Sequence, residues 1–358
     1  MITQSPISTR DGLSAASMPV LNIAMVGSDS LAKEIAKASD QRDVHTYVHK
    51  ENASDGSQRI LSLIRPAKFP ERLRPLLGAL GVARSGLLEI TEVNAALGEA
   101  LIAFSSSGIN NGIFVINPSE GGWVDEDQVK GLMQQAGLGE WKQAPPDGIQ
   151  IREMLQEILE SSLDELAIEE TLPLIVPVDQ FFNVKGIGLV AIGYVQQGTV
   201  AIHDELLALP SNGMANARSL QVMDDDVKVA KAGDRVGIAM RNAKEEWLGG
   251  GAIIVQNPIV EKKADETLPI PLVECNKTKL TLKKSPFNRR TLEKGDVVHL
   301  SLDLQFAVGR VEEVAEDSLI VEWDAPILIR INGPGRALLN QLDSNPRILG
   351  HITSLISC

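Results

Sequence analysis

Two stretches of the chain have residue types and spacing suited to meeting phosphate. The first is GSDSLAKE, Gly27 to Glu34. A phosphate-binding loop reads GxxxxGK[ST]: its glycines let backbone N–H groups wrap the phosphates, its lysine neutralises them and its hydroxyl holds Mg²⁺. Gly27 and Lys33 stand at the first glycine and the lysine, Ala32 replaces the second glycine and Glu34 replaces the hydroxyl. A carboxylate there would face a polyphosphate, and two like charges ~4 Å apart repel by about 4 kcal/mol at an effective dielectric of roughly 20. The stretch is therefore expected to be a vestigial phosphate loop that holds neither nucleotide nor magnesium. A direct metal bond from Glu34 is the alternative.

The second stretch is KTKLTLKKSPFNRR, with Lys277, Lys279, Lys283, Lys284, Arg289 and Arg290. Strand alternation puts Lys277, Lys279 and Lys283 on one face. Two readings fit: contact with an RNA backbone, or a solvated edge strand whose lysines deter pairing with another chain. The net charge of -13 disfavours broad, unselective nucleic-acid binding, so any RNA contact must be local to this patch.

Other chemistry finds little support. His45 and His49 lie in an alternating, strand-like run, where their spacing does not make the helical zinc pair, and His203, His299 and His351 stand alone. Cys275 and Cys358 are far apart in sequence and fit no metal or redox spacing, so reduced thiols are expected. There is no GxSxG or HExxH motif. No apolar run approaches the roughly 18 residues that span a bilayer, and Met1 to Val20 has no apolar core, so a soluble, cytoplasmic protein without a membrane partner is expected.

At 358 residues the chain suits two or three domains. Leu21 to Gly27 is a short apolar strand followed by SLAKEIAKA with helical spacing. DVHTYVHKE, SQRILSLIRPA, GLLEIT and GIFVIN read as strands, and FPERLRPLLGALGVA, NAALGEALIAFSSS and QVKGLMQQAGL as helices. A turn at Pro145 to Gly148 precedes a long helix from Ile149 to about Leu166. Strands alternating with helices predict a largely parallel sheet covered on both faces. From Thr171 on, short strands broken by glycines predict barrels, divided by the polar stretch Gln256 to Pro271.

VDQFFNVKGIGLVAIGYVQQGTVAIHDELLALP resembles the second domain of translational GTPases, usually VKGxGTVVTGxVxxGxVxxGDE. Lys185, Gly186, Gly188, Gly193, Gly198, Asp204 and Glu205 fall on that pattern, and AKAGDRVG (Ala230 to Gly237) on the later strand and turn. Leu189 and Ile192 replace the usual threonines, His203 a glycine, and Gly249-Gly250 an Arg-Gly. The ending ILIRINGPGRALLNQLDSNPRILGHI looks like the third domain of the archaeal selenocysteine-specific elongation factor. The resemblance implies an α/β plus β fold: a degenerate P-loop GTPase-like domain at 19–168, then β-barrel domains at 172–258 and 266–358.

Aligning GINNGIFVIN with the family strand after the DxxGH motif places Thr91, Asn94 and Ala95 on its metal-holding Asp, γ-phosphate-sensing Gly and water-positioning His. The guanine-reading NKxD should follow a further strand after QVKGLMQQAGL, where WKQAPPDGIQ offers neither motif nor a convincing strand, and Asp147 reads as a turn residue. The family likeness thus implies an elongation-factor-like protein without GTP or magnesium as cofactors and without GTPase activity. It would bind RNA, such as tRNA, or a translation component. A divergent GTPase, or a structural subunit docking through the altered first domain, are the alternatives.

Overall fold

The computed structural model describes residues 18–54, 56–258, 269–316 and 318–358. Most of the N-terminal lead, and the expected start of the third unit at 266–268, lie outside them.

The first unit runs β1 (Val20–Val26), α1 (Asp29–Ile35), β2 (Lys37–Gln41), β3 (Val44–Asn52), β4 (Gln58–Pro66), α2 (Arg74–Val82), β5 (Ser85–Ile90), α3 (Ala95–Ser106), β6 (Gly112–Ile116), α4 (Glu126–Ala136), β7 (Lys142–Ala144), α5 (Gly148–Ser161) and α6 (Leu163–Glu169). Its sheet is ordered β2-β3-β4-β1-β5-β6-β7, with β4, β1, β5, β6 and β7 parallel and β2 and β3 antiparallel. Alternation in β1 sends Leu21, Ile23 and Met25 to a core shared with α1 and α5, and Ala24 to a core shared with α2, α3 and α4. The sheet is therefore covered on both faces. Three local expectations are corrected. The helix beginning at SLAKEIAKA stops at Ile35, and Lys37–Gln41 is a strand paired to β3. The stretch around Lys142–Ala144 is a short edge strand, β7. The long helix breaks at Ser162, whose hydroxyl bonds back to the Ile158 carbonyl.

The second unit comprises β8 (Val176–Val184), β9 (Gly188–Tyr194), β10 (Thr199–Ala201), β11 (Glu205–Leu209), β12 (Gly213–Val222), β13 (Asp225–Val227), β14 (Val229–Lys231), β15 (Arg235–Arg241) and β16 (Ile253–Gln256). Its order β11-β16-β8-β9-β15-β12 is closed by pairing of β11 with β12. The family-pattern residues make its tight places. Gly198 has φ 77°, and a Cβ on it would sit 2.6 Å from Leu174 Cα. Asp204 Oδ2 accepts the Ala201 N–H at 2.8 Å, and Asp234 Oδ2 accepts the Lys231 N–H at 2.7 Å, closing two similar turns. His203, where the family has glycine, is held at φ 78°.

The third unit is a closed barrel ordered β17-β20-β19-β18-β21-β22, built from β17 (Leu272–Lys284), β18 (Val297–Leu302), β19 (Gln305–Val314), β20 (Leu319–Arg330), β21 (Leu338–Asn340) and β22 (Ile348–Ser357). Ion pairs and hydrogen bonds tie the first unit to both barrels. Lys50 reaches Asp225 at 2.7 Å and the Met223 carbonyl at 2.6 Å, and buried Asn22 donates to the Gly233 carbonyl at 2.7 Å. Asp40 and Arg42 face Asp179 and Arg235. Arg347 of the last barrel grips Glu99 of α3 and donates to the Pro70 carbonyl at 2.6 Å.

Candidate functional site

In open α/β sheets ligands bind outside the carboxyl ends of the parallel strands, where loops meet helix N-termini. At that edge β1 ends at Val26 and α1 begins at Asp29, leaving only Gly27 and Ser28 between them. The residues that would have to form a phosphate-wrapping loop are already helical. Ala32 is fully buried inside α1. Lys33 projects to solvent and pairs with Asp29 at 2.5 Å, and its ammonium holds the Asp29 carboxyl below its usual range. Asp29 also accepts the Tyr47 hydroxyl; burial, reinforced by that carboxylate, pushes the phenol up to about 12. Glu34 lies exposed in the last turn of α1, and its carbonyl accepts from Arg152 at 2.9 Å.

A residue not singled out in the sequence occupies the centre of this edge. Glu89, near the end of β5, is only 7% exposed, and its Oε2 accepts the Ser28 N–H at 2.5 Å. Its Oε1 accepts from Asn117 Nδ2 at 2.7 Å. A Cβ on Gly27 would sit 2.9 Å from Glu89 Cβ and 3.0 Å from Oε2, so the glycine is explained by the approach of this carboxylate. The Leu31 N–H is satisfied by Ser28 Oγ at 3.1 Å, and the Gly27 carbonyl by Arg65 Nε at 2.7 Å. Of the donors at the start of α1, the Ser28 and Leu31 N–H groups are thus met by the protein's own oxygen atoms.

The basic stretch lies on β17 and the loop after it. β17 pairs with β20 on one side and β22 on the other, so the edge-strand reading is overturned: a closed barrel has no free edge there for lysines to guard. Lys277 is bound to Glu312, whose carboxylate holds the ammonium above its usual range, and Arg290 faces Asp296 at 3.5 Å. Lys279, Lys283, Lys284 and Arg289 are exposed, and among the described residues none of them has an acidic side chain within salt-bridge distance.

A protein of Methanocaldococcus jannaschii whose function is uncharacterised is 30% identical over 292 residues, covering 81% of this chain and 85% of that one. The selenocysteine-specific elongation factor of the same organism is 27% identical over 215 residues, 51% of this chain and 45% of that protein. The crystal structure of the apo form of translation elongation factor SelB from Methanococcus maripaludis superposes with a TM-score of 0.74 over 95% of this chain and 80% of that one, at 20% identity. No protein-family model matches the chain. The chain belongs to the translation elongation factor family. The chain spans less than half the length of the selenocysteine-specific factor in the sequence match.

In this elongation-factor relative, Thr91, Asn94 and Ala95 follow β5 and lead into α3, and Asn94 is the α3 N-cap, its Oδ1 accepting the Leu97 N–H at 2.9 Å. Asp147 is likewise the N-cap of α5, accepting from Ile149 and Gln150 at 2.9 Å, where the sequence suggested a turn residue. The Asn-x-x-acid spacing sought after β7 occurs instead after β6, as Asn117-Pro118-Ser119-Glu120. Its asparagine is engaged by Glu89. A separate cavity of about 1320 Å³ lies where the three units meet, lined by Arg74, Arg235, Phe306 and Arg347 among others. The ions facing it from β2, β8 and β15 are largely paired with one another.

Proposed function

We propose that this elongation-factor relative acts in translation as an RNA-binding protein whose first domain neither binds nor hydrolyses GTP and takes no magnesium. The observation that carries the first domain's part is the Glu89 carboxylate on the Ser28 N–H, where a phosphate oxygen would have to bind, with the loop itself reduced to Gly27 and Ser28. Any polyphosphate would have to displace a buried, doubly hydrogen-bonded carboxylate and unwind the first turn of α1. Lys33 is committed to Asp29 rather than projecting from a loop. The side-chain ties between the first unit and both barrels fit a protein that keeps one arrangement without a γ-phosphate-driven switch.

RNA, with tRNA as the first candidate, is supported by the surface formed by Lys279, Lys283, Lys284 and Arg289 on a chain that is otherwise acidic. Fluorescence anisotropy with labelled tRNA at several salt concentrations tests this. Replacing the four residues by serine should weaken binding and flatten the salt dependence by about 0.7 to 0.9 per lost phosphate contact. An unchanged slope would remove this patch from the RNA reading.

A further inference from the structure

The loops that leave β5, β6 and β7 lie side by side at the carboxyl edge of the first sheet, because those strands are neighbours in it. Each exposes an apolar side chain. Val93 is 38% exposed, Ile149 59% and Trp123 81%, whereas Trp141 and Trp323 are each only 4% exposed. A tryptophan standing out of the surface leaves its large apolar ring in water with no packing to offset the cost, which is the usual mark of a binding anchor.

The charge carried by these segments themselves is of one sign. The segments 91–95, 117–127 and 145–149 carry Glu92, Glu120, Asp125, Glu126, Asp127 and Asp147, and no lysine or arginine. The cations nearest in sequence, Lys130, Lys142 and Arg152, are each engaged, Lys130 with Glu126 at 2.5 Å, Lys142 with Glu157 at 3.4 Å and Arg152 with the Glu34 carbonyl at 2.9 Å. Asp125 and Asp147 cap helices, but capping leaves their charge in place.

We propose that this edge is a docking face for a cationic protein segment that seats an apolar side chain against Trp123 and places lysines or arginines over the acidic rim. A nucleic acid is the wrong partner, because its phosphates share the sign of the rim. The inference rests on the reading that no nucleotide occupies this edge, so the test separates the two.

The experiment is isothermal titration of the full chain with a soluble synthetic peptide of lysines interspersed with leucines, and with the same peptide carrying glutamate for lysine. Binding of the lysine peptide, absent for the glutamate peptide, should weaken at least about tenfold on Trp123→Ala. Glu92→Gln/Glu120→Gln/Asp127→Asn should weaken it similarly and flatten its salt dependence. Asp324→Asn, on the last barrel, should leave it unchanged. Both rim and tryptophan variants binding like the parent would overturn the proposal. If GTP with magnesium displaced the peptide, the docking face would stand and the nucleotide-free reading would fall.

Discussion

Removal of the Glu89 carboxylate is the perturbation with the most local consequence. The side chain is 7% exposed and accepts two hydrogen bonds, from the Ser28 N–H at 2.5 Å and Asn117 Nδ2 at 2.7 Å. Hydrogen bonds to a charged group contribute about 1.5 to 3 kcal/mol each, and a buried donor left without a partner adds its own penalty. Release of the buried charge itself offsets part of this. Glu89→Ala should therefore weaken the junction between β1 and α1 by about 3 kcal/mol, which is roughly a hundredfold in the opening equilibrium. Glu89→Gln keeps the shape and one acceptor; with the Asn117 amide turned over it can keep both contacts, so it should cost about 1 kcal/mol. The assay is native-state hydrogen exchange at the Ser28 amide by NMR. Exchange roughly a hundredfold faster in Glu89→Ala, and about fivefold faster in Glu89→Gln, is expected. Parent-like exchange in Glu89→Ala would mean that this carboxylate does not hold the junction. Neither variant should gain nucleotide binding, because the loop is still only Gly27 and Ser28.

Burial pushes the Asp234 carboxyl up to about 7. Its folded value thus exceeds the unfolded value of about 3.9, so its contribution is fully present below about pH 4 and is lost as pH rises through about 7. Asp234→Asn, which can still accept the Lys231 N–H, should stabilise the chain increasingly from about pH 4 to 8 by urea unfolding; an equal increment at both ends would contradict this. His203→Gly relieves a non-glycine residue at φ 78° and should stabilise by about 1 kcal/mol in the same assay, with a loss of stability as the contrary result. Glu99→Ala leaves Arg347 without its carboxylate at the contact of α3 with the last barrel, and should cost on the order of 3 kcal/mol, visible as a lower urea midpoint; an unchanged midpoint would show that the tie is dispensable.

Much of the architecture was legible because it depends on periodicity and on turn chemistry. Alternating strands and helices gave the covered parallel sheet, and the glycines and aspartates of the second unit sit where close approach and tight turns require them. β2 was hidden because Lys37–Gln41 continues a helix-like run in SLAKEIAKA, and only pairing to β3 decides its state. The edge-strand reading of β17 failed because barrel closure depends on β20 and β22, more than 30 residues away in sequence.

The residue changes at the candidate site were legible in the sequence, but the geometry around them was not. Ala32 and Glu34 marked an altered phosphate loop, yet nothing local shows that the helix starts at Asp29 and removes the loop itself. Glu89 was missed because both faces of β5 are buried, so GLLEIT shows no alternation against which an inward acid stands out. The available signal was a glutamate inside an apolar run, since such residues are almost never buried without partners. Its partners are a backbone amide 61 residues away and an asparagine side chain 28 residues away.

In the function proposed above, the Glu89 carboxylate fills the first domain's phosphate site and no loop remains to wrap a nucleotide. The most direct test is equilibrium titration of the full chain with a fluorescent GTP analogue and Mg²⁺. No saturable binding is expected up to about 1 mM, whereas magnesium-dependent binding tighter than about 10 µM would show that the first domain still takes a nucleotide.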